Sequence, residues 1–115
     1  MTALQMKYLL SYAELKENER SMTAVAIELG VNKSTVSRVF ALAVKEGILD
    51  EQHELTPYGK EYMQYFSLNL QKLTRFLSEL GFDSDYAKEE AYQMIGACSE
   101  ETIEALISNR NLSKQ

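Results

Sequence analysis

Apolar residues recur along this chain at helical spacing over most of its length. Leu4, Tyr8, Leu9, Tyr12 and Leu15 predict a first helix over 4–16, and the polar run at 16–20 breaks it. Val25, Ala26 and Leu29 predict a short helix over 22–29, closed by Gly30. Asn32 suits the N-cap of a third helix over 33–45, with Val36, Val39, Phe40 and Ala43 on one face and Gly47 at its end.

Residues 48–55 (ILDEQHEL) read differently, as two short extended pieces around a polar turn, hence a small β-hairpin. Thr56 and Pro57 then start a long helix reaching about Leu80, with Thr as cap and Pro in the first turn. Tyr62, Phe66, Leu70, Leu73 and Leu77 form its apolar stripe, Met63, Leu68 and Phe76 widen it, and Gly81 stops it. Two more helices follow, over about 84–96 and 100–109, with Gly96 and Ser99 at the junction. The expected fold is mainly α: a winged helix-turn-helix with a small β-hairpin wing over 1–57, a helical dimerisation region over 58–110, and a loose tail over 111–115.

Charge sharpens this picture. The net charge is −5, which argues against an indiscriminate nucleic-acid binder. Residues 61–115 hold nine acidic and five basic residues, a net of −4, whereas residues 1–60 hold eight and seven, a net of −1. Between residues 29 and 45 stand Lys33, Arg38 and Lys45 with no acid among them. The one cysteine, Cys98, excludes an intramolecular disulfide framework and a cysteine-rich zinc module. With a single histidine and a single cysteine, and no phosphate loop, the chain lacks the parts of a nucleophilic enzyme. The N-terminus has no long apolar run, so neither a signal peptide nor a membrane span is expected and the expected compartment is the cytoplasm.

The candidate chemistry lies in the helix–turn–helix of residues 22–46. The outer face of the second helix offers Lys33, Ser34, Thr35, Ser37 and Arg38 beside the cap residue Asn32. Such a helix enters the major groove by its N-terminal turns. Short hydroxyls permit close approach, an arginine can pair bidentately with guanine, and lysines supply salt-dependent affinity. The expected partner is double-stranded DNA. His53, in the hairpin, reads either as a wing residue on the DNA backbone or as an ordinary turn histidine.

Several segments together resemble the DtxR/MntR family of metal-dependent repressors. Residues 22–48 (MTAVAIELGVNKSTVSRVFALAVKEGI) resemble its helix-turn-helix, and Leu55, Thr56, Pro57, Tyr58, Gly59 and Lys60 resemble the segment leaving its wing. Phe76, Leu77, Leu80, Gly81, Phe82 and Asp83 are similar to the start of its dimerisation region, and Cys98, Ser99, Glu100 and Glu101 to the turn before its last dimerisation helix. The resemblance implies a homodimer on palindromic operators, acting most often as a repressor, with divalent manganese or iron promoting DNA binding.

The chain departs from that family at the metal site. The family's ligand positions fall on Tyr92, Ile95 and Gly96, with others near Leu70, Gln5 and Tyr8. None of residues 92, 95 and 96 is a usual ligand for manganese or iron, so no cofactor is expected. Glu89, Glu90 and Cys98 are the nearest donors for a displaced site, beside Glu100 and Glu101. Met6, Tyr8, Tyr12, Tyr62 and Tyr65 form an aromatic-rich set that reads as core and dimer packing or as a pocket for an apolar effector. Two other functions fit the pattern: a MarR-like regulator with a small-molecule effector, and an interaction module that sequesters another regulator.

Overall fold

A computed structural model describes the backbone of residues 1–112 and the side chains of residues 1–108. Among the described residues the chain forms six α-helices: α1 (Ala3–Glu14), α2 (Met22–Leu29), α3 (Lys33–Lys45), α4 (Pro57–Glu79), α5 (Ser84–Ala97) and α6 (Glu100–Leu112). The tail expected over 111–115 lies outside the described residues from 113 onward. The chain divides into two compact units, Met1–Gln64 and Tyr65–Gln115.

In the first unit, local chemistry places each helix end. Thr2 and Gln5 form a reciprocal capping box at the start of α1. At the other end Arg20 donates to the carbonyls of Leu15 and Ala13, which a helix terminus leaves without partners. Ser21 caps α2 by accepting from the amide of Ala24 at 3.0 Å. Gly30 ends α2 in the left-handed region, at φ 66, which only glycine enters cheaply. α1 packs on α2 and α3, and α2 on α3. Met6, Leu9, Val25, Val36 and Phe40 are at most 1% exposed. The buried Ser11 hydroxyl donates to Glu28 at 2.9 Å, so the one polar side chain in this core has a partner.

The expected hairpin wing is absent, and the winged-helix reading is corrected accordingly. No strand forms among the described residues; Leu49 and Leu55 make a single isolated antiparallel bridge. The reason is where the backbone groups find partners. The amides of Ile48 and Leu49 both donate to the carbonyl of Ala43, closing the end of α3. The Asp50 carboxylate accepts from the amides of Gln52 and Glu54, and the His53 amide donates to the Asp50 carbonyl. These bonds curl residues 50–54 into a tight turn and leave too little extended backbone for a ladder.

Thr56 carries the chain from this turn into α4. Its hydroxyl donates to the Gly47 carbonyl and accepts from the Gly59 amide at 2.9 Å. Gly59 lies directly over the carbonyl of Ile48, where a Cβ would overlap backbone atoms.

The second unit comprises the later part of α4, then α5 and α6. Phe66, Leu70, Leu73 and Leu77 of α4 are buried, as are Ala87, Ala91 and Tyr92 of α5 and Ile103 of α6. The Phe66 and Tyr92 rings lie 6.3 Å apart, and α5 packs on α6. Asp83 caps α5 by accepting from the Asp85 amide, and Ser99 caps α6 by accepting from the Thr102 amide. Gly96, expected to stop α5, lies inside it, and Cys98 is the C-cap. Among the described residues no helix is long and apolar enough to cross a membrane.

Candidate nucleic-acid interface

α3 is sharply two-sided. Val36, Val39, Phe40 and Ala43 are buried, while Lys33, Ser34, Ser37, Arg38, Ala41 and Lys45 are exposed. Thr35 is half-buried at the edge of the exposed face. The burial follows from spacing: positions 36, 39, 40 and 43 recur on one side of a helix, and α1 and α2 cover that side. What remains outside is a strip of hydroxyls and cations with no acidic residue in the first turn. Ala41 was not singled out by residue chemistry. Its place one turn beyond Arg38 puts it on the same strip, where a methyl suits contact with a thymine methyl.

Asn32 occupies the N-cap position, yet its side chain makes no capping bond. The Asn32 backbone carbonyl accepts the first bonds of the helix, from the amides of Thr35 and Val36. The Asn32 side chain is exposed beside the strip. Upstream, the Val31 amide donates to the Ala26 carbonyl at 3.0 Å, which with Gly30 holds the turn between α2 and α3 in one geometry.

His53 is placed elsewhere. It holds a left-handed backbone at φ 63, unusual for a residue with a side chain. Its ring stands edge-on to Phe40 at 5.4 Å and its carbonyl accepts from Tyr12. These contacts give it a packing task at the back of α3.

The positions of the metal-repressor ligands do not fit a divalent cation. Tyr92 is buried with its ring against Phe66, and Ile95 and Gly96 bring no donor. Leu70 is buried and apolar. Glu89 is exposed, whereas Glu90 and Cys98 are half-buried. Among the described residues, no three His, Cys, Asp or Glu side chains come together in a group able to hold a metal ion.

The aromatic set separates too. Met6 is buried, the Tyr12 ring packs edge-on to Phe40 at 4.8 Å, and the Tyr62 ring lies 5.9 Å from that of Tyr58. Tyr65 is 47% exposed. Burial raises the phenol pKa of both Tyr12 and Tyr62 above the ordinary value.

No family model and no curated protein matches the chain. Among solved structures it is similar to a hypothetical protein from Sulfolobus solfataricus, with a TM-score of 0.68 and 19% sequence identity. The alignment covers 100% of this chain and 92% of that one, so the likeness is one of fold over the whole length.

Proposed function

We propose that this chain is a sequence-specific DNA-binding transcriptional regulator that inserts α3 into the major groove. The carrying observation is the exposed strip of α3. Lys33, Ser34, Ser37 and Arg38 face outward behind the Gly30 turn, and the opposite side of the helix is locked into the core. Arg38 is the base-reading candidate, because its planar fork matches guanine. Lys33 and Lys45 serve phosphates, and Ser34 and Ser37 allow the helix to approach closely. His53 is left to its packing role. The resemblance to DtxR/MntR repressors points to the same activity and to repression by promoter occlusion, with no metal step assigned. Two copies would engage half-sites one helical turn apart, about 34 Å.

The test is fluorescence anisotropy with labelled duplex DNA from upstream of the protein's own gene, in chelator and with added manganese, over a series of salt concentrations. Competitor-resistant binding that weakens with salt is expected, alike in chelator and manganese. Arg38→Glu should abolish it with circular dichroism unchanged, and Lys33→Ala should lower the salt slope by about one unit. Binding that survives Arg38→Glu, or no binding at low salt to any genomic duplex in a selection, would sink the reading.

A further inference from the structure

The corner between α4 and α5 leaves three large apolar side chains open to solvent. Leu80 is 59% exposed, Phe82 47% and Tyr86 52%. They stand close together in the chain, inside the second compact unit, Tyr65–Gln115. The Phe82 and Tyr86 rings lie 5.4 Å apart and are tilted by 35°. Phe82 precedes the Asp83 cap, so the pairing steadies the start of α5, as an apolar residue before an N-cap commonly does. That task leaves both residues about half exposed. Rings already packed on one another lose little freedom when a ligand covers them.

Charge decides the occupant. Residues 79–90 hold Glu79, Asp83, Asp85, Glu89 and Glu90 against Lys88 alone, a net of −4. Asp83 and Asp85, both exposed, stand between the two aromatic residues in the chain. The open faces of aromatic rings carry negative potential of their own. DNA phosphates and an acidic lipid surface are therefore repelled here. A second copy docked through the same corner would set these acids against their own counterparts. A cation is drawn by the carboxylates and by the ring faces together. Arginine suits both, because its planar guanidinium stacks on aromatic rings and forks onto carboxylates. The cationic strip of α3 and this acidic corner accordingly select opposite partners.

We infer that the Phe82–Tyr86 corner is a docking surface for a cationic, amphipathic segment of another protein, which lays arginine over the ring pair and aliphatic side chains against Leu80. This surface is independent of any DNA contact.

Nuclear magnetic resonance on the isotope-labelled full chain, without DNA, tests it. The probe is an amphipathic helical peptide with leucines along one face and arginines along the other. The controls are a scrambled peptide of the same composition and a peptide with glutamate in place of arginine. The amphipathic arginine peptide should bind saturably, with amide shifts centred on residues 80–90. The scrambled peptide should bind about tenfold more weakly, and the glutamate peptide should not bind. Phe82→Ala and Tyr86→Ala should each weaken binding about tenfold with circular dichroism unchanged. Asp85→Lys leaves both rings in place and should weaken it by a similar factor. No binding, shifts centred elsewhere, equal binding of the scrambled peptide, or variants without effect would each overturn the proposal. Shifts at residues 80–86 that grow with protein concentration alone would assign the corner to a second copy instead. Shifts there with phosphatidylglycerol vesicles would assign it to a membrane surface, and either result would overturn the proposal as well.

Discussion

The hydroxyl of Tyr12 donates to the backbone carbonyl of His53 at 2.9 Å, joining α1 to the turn that follows α3. Both rings rest edge-on against Phe40, at 4.8 and 5.4 Å. His53 has a left-handed backbone, and the contact ties α1 to the turn where a hairpin wing was expected.

Tyr12→Phe removes that hydrogen bond and keeps the ring packing. The His53 carbonyl then loses its partner in a half-buried site. A loss of about 0.5–1.5 kcal/mol in unfolding free energy is expected by urea denaturation. No loss would mean that solvent satisfies the carbonyl equally well.

The same tyrosine sets an alkaline limit on stability. Burial is the main cause that raises its pKa above 10.0, opposed by the Arg20 charge and aided by Glu54 and Asp50. Tyr62 is raised likewise, by burial first and then by Tyr58 and Glu46. The unfolded chain therefore ionises these phenols at lower pH than the folded one. Their contribution is complete below about pH 10 and is lost as the pH rises through the folded values. Thermal melts should show the midpoint falling across that window, with a shallower fall in Tyr12→Phe; parallel curves for the two proteins would remove Tyr12 as a cause.

Gly59→Ala tests the entry to α4. In most helices alanine stabilises relative to glycine. Here the added Cβ would collide with the Ile48 backbone, which is itself held by Thr56. The expected outcome reverses the usual sign, a destabilisation of about 1–3 kcal/mol or more. A variant of wild-type or higher stability would show that the two backbone segments separate readily.

Gly30 makes the opposite case, a glycine kept for conformation alone. A Cβ there meets nothing within 4 Å, yet φ is 66. Gly30→Ala should cost about 1–2 kcal/mol and Gly30→Asn less, since asparagine tolerates the left-handed region. Equal costs for the two would indicate that backbone conformation is not what selects glycine here.

Most helices were legible because burial on a helix is periodic. The spacing of Val36, Val39, Phe40 and Ala43 marks the core side of α3, and the strip of Lys33, Ser34, Ser37 and Arg38 is what that spacing leaves outside. Helix ends were legible where the signal is a local bond or a left-handed glycine, as at Thr56 and Gly30. Gly96 misled because a glycine within a helix interior carries the same letter as one beyond its end.

Sequence alone determined the helical periodicity, the acid-free cationic segment around Arg38, and the poverty of metal donors at Tyr92, Ile95 and Gly96, because spacing and side-chain chemistry are properties of the chain itself. Only the tertiary structure decided that residues 48–55 form a turn with one bridge, that His53 packs behind α3, and that Gly59 sits on the Ile48 carbonyl. The physical reason is common to all three. Each depends on which distant group meets a backbone carbonyl or fills a gap, such as the Tyr12 hydroxyl donating to the His53 carbonyl, and such partners are chosen by packing in space.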